Sequence, residues 1–370
     1  MIDNDLPINQ NGLQVSATKS KKNEFKTLLI QNKAKNFSIT KEIEKKLKLP
    51  PIYFAELSAI DKKHDQINTI CLLENKGAFL QLCPSTNKYL CCNYRIINTG
   101  ANCSFGCSYC ILQDYLKTKM HLINVNLDNE LRSFSKDLPL KTKKHLRIGN
   151  GEFTDSLIID HLTGFSSKII NFFKKYPHII FEFKTKSINI DNLLQIPAEP
   201  NIVVAWSLNT PFVTQELEAE TPTLEQRLEA AKKIADKGYN LAFHFDPMVD
   251  YDNAHHDYAA VIDKLYEYIP KAQIRWISMG ALRFTKGLAK TAKKSPLFIN
   301  EFIEGDDHKL RYLRPKRVSL FQNLLQAIQK KSADQFTYLC MESPAVWEQV
   351  YGFTPKDNDD FERWFNSKVF

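Results

Sequence analysis

From Tyr94 onward, short apolar runs rich in β-branched and aromatic residues alternate with longer stretches whose apolar positions recur at helical spacing. That alternation is the pattern of repeated βα units around a parallel sheet. It predicts strands over 95–99, 145–149, 178–185, 202–208, 240–247 and 274–282, with helices over 127–136, 156–176, 190–195, 223–237 and 254–268. Gly238 is placed to end the helix before it. Six repeats fall short of the eight that close a barrel. The expected fold class is therefore α/β: a partial (β/α)6 TIM-like barrel over 94–282, with additions at both ends.

The flanking segments differ in character. Residues 51–93 hold three short apolar runs and read as an α/β preface to the barrel. Residues 1–50 are polar, with ten lysines between Lys19 and Lys48 against Glu24, Glu42 and Glu44, which predicts a flexible basic arm. Residues 283–317 carry ten Lys and Arg against four acids, followed by an amphipathic helical pattern over 318–331 and a strand-like run over 336–341. The region 283–370 is thus expected to be basic, with a helix and a strand.

Composition narrows the class. At 370 residues, 43% hydrophobic and 25% charged, with 12 Gly and 16 Pro, the chain is ordinary globular material. It has no apolar run of the roughly 18–20 residues that span a bilayer, and its first residues lack a basic-then-apolar leader. A cytoplasmic location with no membrane partner is the expectation. The net charge of +8 favours a polyanion such as DNA or another nucleic acid. Seven of the eight cysteines fall between Cys71 and Cys110, with Cys340 apart. Secreted frameworks spread their cysteines, so this clustering points to metal or redox chemistry.

The strongest signal is Cys103-Ser104-Phe105-Gly106-Cys107-Ser108-Tyr109-Cys110, a C-x3-C-x2-C loop directly after the first expected barrel strand. A cubane cluster has four irons and normally takes four thiolates. Three on one loop leave an iron open to a non-protein ligand, so the metal residues are Cys103, Cys107 and Cys110. Zinc is the structural alternative, although its sites ordinarily pair two knuckles and no second knuckle is present.

The motif in this context resembles the radical S-adenosylmethionine superfamily, whose loop follows the first strand of a partial (β/α)6 barrel. Within it, residues 94–317 resemble the spore photoproduct lyase family through the stretches 107–113, 155–163, 207–209, 227–231, 242–248 and 283–286. The resemblance implies a 4Fe-4S cluster, S-adenosyl-L-methionine bound to its open iron, reductive cleavage to a 5′-deoxyadenosyl radical, hydrogen abstraction from a substrate, and an electron donor such as flavodoxin or ferredoxin. It also implies cofactor contacts for Gly149, Asn150, Gly151 and Glu152, and for Lys186 and Ser207. Read without the family, 149–152 is a strand-to-helix turn with an N-terminal acid, and Lys186 and Ser207 are ordinary polar residues at strand ends.

Two departures stand out. The family's true lyases set a hydrogen-donating cysteine where this chain has Glu152, and a relay tyrosine where it has Ile111. Their substrate hairpin looks shortened to 308–314. Tyr109, Cys340, His244 and Asp246 are therefore the weaker catalytic candidates: Tyr109 as relay or cluster shield, Cys340 as another thiol donor or a core residue, and His244 with Asp246 as substrate contacts or a structural pair. Arg283, Arg311, Arg314, Lys316, Arg317 and Tyr312 are candidate nucleic-acid contacts. The reading is a lyase-like radical enzyme of the DNA-repair type. Its rivals are a radical enzyme for a peptide or small metabolite, and a nucleic-acid-binding protein with a structural or redox-sensing cluster.

Overall fold

The structure is a computed structural model that describes residues 25–84, 88–137, 144–292, 295–298 and 301–370. The chain begins with β1 (Thr27–Gln31), α1 (Ser38–Leu47), β2 (Pro51–Phe54), β3 (Thr69–Leu73) and β4 (Leu80–Leu82). Next come β5 (Arg95–Ile97), β6 (Gly100–Ala101), α2 (Leu112–Tyr115), β7 (His121–Asn124), α3 (Leu127–Asp137) and β8 (Leu146–Gly149). Helices α4 (Asp160–Thr163) and α5 (Phe165–Phe173) lead to β9 (Ile179–Thr185), α6 (Asp191–Leu194) and β10 (Ile202–Ser207). Then follow α7 (Pro211–Leu217), α8 (Leu224–Asp236), β11 (Asn240–Met248), α9 (Ala254–Tyr268), β12 (Ile274–Ala281), β13 (Arg283–Phe284) and α10 (Lys286–Ala292). The chain finishes with β14 (Phe302–Glu304), β15 (Leu310–Tyr312), α11 (Arg314–Lys331), β16 (Thr337–Leu339), α12 (Pro344–Tyr351) and α13 (Asn358–Val369).

Strands β5, β8, β9, β10, β11 and β12 lie side by side in chain order and pair in parallel, which is the expected sixfold βα run. β16 extends this sheet beside β12, and β4 adds an antiparallel strand beside β5. The barrel strands are buried on both faces, as helix-covered parallel strands must be: β10 is buried at every position, and Trp206 at its heart is inaccessible. Local signals set the helices. Thr223 and Gln226 form a capping box at the start of α8. The single helix expected over 156–176 is instead two, because Gly164 turns left-handed at φ 62° and Asp160 accepts hydrogen bonds from the Ser166 amide and hydroxyl.

Residues 25–50 are not the expected arm. β1 sits inside a second sheet, ordered β2-β1-β3-β7-β6, and its Leu28, Leu29 and Ile30 are buried. Helix α1 buries Ile39 and Ile43 while its lysines face outward. Residues 1–24 lie outside the described residues. The C-terminal region likewise holds more than a helix and a strand, since β13, β14 and β15 form a small antiparallel sheet and α12 and α13 follow β16. The segment 308–314, expected as a shortened hairpin, holds β15, which pairs antiparallel with β14, so the hairpin starts at Phe302 rather than at His308.

The two edges of the barrel sheet meet. Leu90, between β4 and β5, bridges Glu342, just past β16. Helix α13 covers the same gap: Phe365 packs on Trp276 of β12, Phe361 on Tyr338 of β16, and Glu362 accepts from Arg95 of β5 at 2.7 Å. Beneath it the Arg147 guanidinium lies 4.6 Å from the Tyr94 ring and 4.8 Å from those of Trp276 and Phe365, and pairs with Glu182 at 2.8 Å. Among the described residues no helix is long and apolar enough to cross a membrane.

Candidate active site

A cavity of about 180 Å³ opens at the C-terminal ends of the barrel strands, where βα barrels keep their chemistry. Cys103, Cys107 and Cys110 line it together with Tyr109, Gly151, Glu152, Lys184, Lys186, Ser207 and Asp246. The loop that presents the thiols is held from several sides. The Asn102 amide donates to the Phe153 carbonyl at 2.8 Å, its side chain reaches the Thr118 and Met120 carbonyls, and Thr154 Oγ1 donates to the Asn102 carbonyl at 2.7 Å. The Ser108 amide donates to the Leu217 carbonyl at 2.8 Å, and Gln113 Nε2 to that of Cys107 at 2.5 Å.

Burial pushes the Cys107 thiol up to about 12 and raises Cys103 and Cys110 as well. Lys186 works against this at Cys107 and Cys110. Metal binding here would release protons, because the ligand is the thiolate. Among the described residues no three His, Cys, Asp or Glu side chains converge on a point that a single ion would occupy. The donor set suits a cluster whose irons each take one sulfur.

The acidic segment after β8 divides by role. Gly151 and Glu152 face the cavity, whereas Gly149 and Asn150 lie behind the lining. A Cβ on Gly149 would fall 1.7 Å from Tyr94 Oη and one on Gly151 2.8 Å from Lys184, so both glycines are required by packing between strands. Asn150 is buried with its Oδ1 unpartnered among the described residues. Glu152 pairs with Lys184 at 3.0 Å. Lys186 lies 5.6 Å from the Tyr109 ring centroid; burial opposes its charge, and Glu218 and Cys107 together outweigh that.

His244 and Asp246, expected on one face, have different neighbours. His244 is out of the cavity, with Nε2 2.6 Å from Glu182 and Nδ1 2.5 Å from Ser278. It belongs to the buried network around Arg147, where Arg147 and His244 outweigh burial and hold Glu182 down at about 2. Asp246 does line the cavity and takes a two-pronged contact from Arg283 at 3.0 and 3.2 Å. Cys340, outside the lining, accepts from Arg283 at 3.7 Å.

The candidate nucleic-acid contacts are corrected more sharply. Arg311 is buried against Asp307 at 2.7 Å, Arg317 against Glu342 at 3.0 Å, Arg283 is committed to Asp246, and Tyr312 is inaccessible. Groups so enclosed do not reach phosphates or stack on bases. Lys316 pairs with Asp250, and Arg314 is exposed. Cys83 and Cys91 face each other, and Cys92 accepts from Arg147 at 3.6 Å.

Three residues of the site were given no role from the sequence, although Asp155 and Arg227 open two of the stretches that carry the family resemblance. Asp155 accepts from the Leu157 and Ile158 amides and the Thr185 hydroxyl through one oxygen, and from the Lys186 amide at 2.6 Å through the other. It ties the β8 loop to the end of β9. Glu218 and Arg227 form an inaccessible ion pair behind Tyr109 and Ser207.

Residues 86–315 match the family model "Spore photoproduct lyase". The chain is 27% identical to the spore photoproduct lyase of Clostridium acetobutylicum over 57% of its own length, and 27% identical to that of Bacillus subtilis over 58%. It spans 62% and 63% of the length of these relatives. A solved variant of spore photoproduct lyase with bound AdoMet and dinucleoside spore photoproduct shares the fold, with a TM-score of 0.75 at 19% identity, covering 85% of this chain and 98% of that one. With more than half of its residues inside the family match and the three-cysteine loop on the barrel's C-terminal rim, the chain belongs to the spore photoproduct lyase family.

Proposed function

We propose that this chain is a radical S-adenosylmethionine enzyme that acts on a pyrimidine photoproduct in DNA. The observation that carries this reading is the meeting of three loop thiols, a half-buried cation and a carboxylate around one cavity. Cys103, Cys107 and Cys110 would hold a 4Fe-4S cluster. When bound, that cluster with S-adenosylmethionine on its open iron supplies reductive cleavage of the sulfonium to a carbon radical able to take hydrogen from a substrate. Lys186 gives a cation for the methionyl carboxylate, and Ser207 sits at the strand end suited to the ribose. Glu152 offers its carboxylate to the methionyl ammonium, with Lys184 already on one oxygen. Tyr109 covers one side of the loop and keeps water from the thiols.

The substrate class rests on family membership and on the photoproduct held by the structural relative. Glu152 has no hydrogen atom to donate as a thiol has. Cys340, beside the Asp246–Arg283 pair at the cavity wall, is the candidate donor in its place. A flavodoxin or ferredoxin supplies the electron in this reading.

The test is anaerobic reconstitution of the full chain and of single Cys103→Ala, Cys107→Ala and Cys110→Ala variants. The wild type is expected to bind about four irons and to release 5′-deoxyadenosine under reduction, and each variant to lose both. Variants with full iron and undiminished cleavage would refute the site.

A further inference from the structure

We infer that the Glu218–Arg227 ion pair is a positioning device, which locks the elbow between α7 and α8 onto the cysteine loop and onto the end of β10. The inference rests on the radical-enzyme reading above for its consequence, and on geometry for its existence. Glu218 and Arg227 are 1% and 0% exposed and meet at 2.6 Å. Neither lines the cavity; each grips a residue that does. The Tyr109 phenol donates to Glu218 Oε1, and Asn209 Nδ2 reaches the same oxygen at 3.4 Å. Arg227 Nη1 donates to the Ser207 carbonyl at 2.9 Å and Nε to that of Pro222 at 2.9 Å. One residue before Glu218, the Leu217 carbonyl takes the Ser108 amide.

Three segments distant in sequence are thereby fixed to one buried pair. Apolar packing there would hold the segments together yet let them slide, whereas charge-assisted hydrogen bonds set direction as well as distance. A buried ion pair is a poor way to gain stability, since desolvation offsets most of the attraction. Its effect lies in orientation. Glu218 also favours the charge of Lys186, which lies 5.6 Å from the Tyr109 ring centroid, so one carboxylate serves both the positioning arginine and the cavity cation. Glu218→Gln would keep an acceptor for Tyr109 and Asn209 but leave the buried Arg227 without its counter-charge and weaken the hold on Lys186. Tyr109→Phe would cut the loop's end of the clamp and spare the ion pair.

The test uses full-length protein in two states. In the metal-free state, hydrogen exchange of the peptide 103–116 is expected to quicken about tenfold in Glu218→Gln and to a smaller degree in Tyr109→Phe. In the reconstituted state, both variants are expected to keep their iron. They should change the cluster's EPR signal on addition of S-adenosylmethionine, and raise its KM about tenfold with a smaller change in kcat. Unchanged exchange and an unchanged EPR signal in Tyr109→Phe would overturn the inference, even if Glu218→Gln fails to fold. A wild type that binds no iron while the variants still show faster exchange would leave the clamp standing and remove the radical-enzyme reading.

Discussion

At the scale of single residues, the site depends on a few side chains whose polar atoms are fully committed. Asp155 uses both carboxylate oxygens on backbone and hydroxyl donors, and so fixes the amide of Lys186 next to the cavity. Asp155→Asn replaces one acceptor oxygen by a donor that faces other donors. It is expected to cost about 1–3 kcal/mol of stability, read as a shift in urea midpoint, and to raise the KM for S-adenosylmethionine more than it lowers kcat. An unchanged KM would mean that the β8 loop holds Lys186 by other means. The three cysteines could be grouped from the sequence because one loop carries them, and the structure brings all three to the cavity. Gly149 was legible as a special position but for the wrong neighbour: its missing Cβ makes room for Tyr94, and nothing in a linear sequence states which strand lies across from a glycine.

Among the elements, the barrel strands and the helices α3, α8 and α9 could be read directly, since each carries a clear period and α8 has a capping box. The N-terminal sheet could not. β1 is five residues long amid lysines, and the dense charge around it disguised a strand whose partners, β2 and β3, lie about twenty and about forty residues further along the chain. No helix was expected over 358–369, and it is the fold that shows α13 burying Phe361, Phe365 and Val369 over the gap in the barrel. Phe365→Ala is therefore expected to destabilise the protein by about 3–5 kcal/mol, and a circular dichroism melt would detect it. A change under about 1 kcal/mol would show that α13 is an appendage.

The N-terminal sheet should also respond to pH. Burial holds His121 down at about 4, from an ordinary 6.5, with Nε2 unpartnered among the described residues. Between these values the unfolded chain binds a proton that the folded one does not. This residue's contribution to stability is therefore complete above about pH 6.5, falls as pH drops, and levels off below the folded value, a change on the order of 3 kcal/mol. His121→Phe is expected to flatten that part of the pH dependence in paired urea titrations at pH 7 and pH 4.5. Parallel slopes for the two proteins would exclude the histidine as its source.

For the whole molecule, net charge proved a coarse guide. The +8 excess is real, but arginines that looked like a phosphate-binding face in the linear sequence are spent inside, where Arg283, Arg311 and Arg317 join β13, β15 and α11 to acids of neighbouring segments. A charge run does not say which of its members face water. Fold, by contrast, could be read from the loop and the strand pattern and family from the short stretches that resemble it, and the substrate could not, because it is decided by a cavity wall gathered from β8, β9, β10 and β11. The most direct measurement is anaerobic incubation of the reconstituted chain with S-adenosylmethionine, reductant and deuterium-labelled dinucleoside spore photoproduct, followed by mass analysis of 5′-deoxyadenosine and the pyrimidine products. The account predicts deuterium in 5′-deoxyadenosine, with product recovery slowed or diverted in Cys340→Ala. Cofactor cleavage without any label transfer would contradict the proposed substrate, and no cleavage at all would contradict the radical enzyme itself.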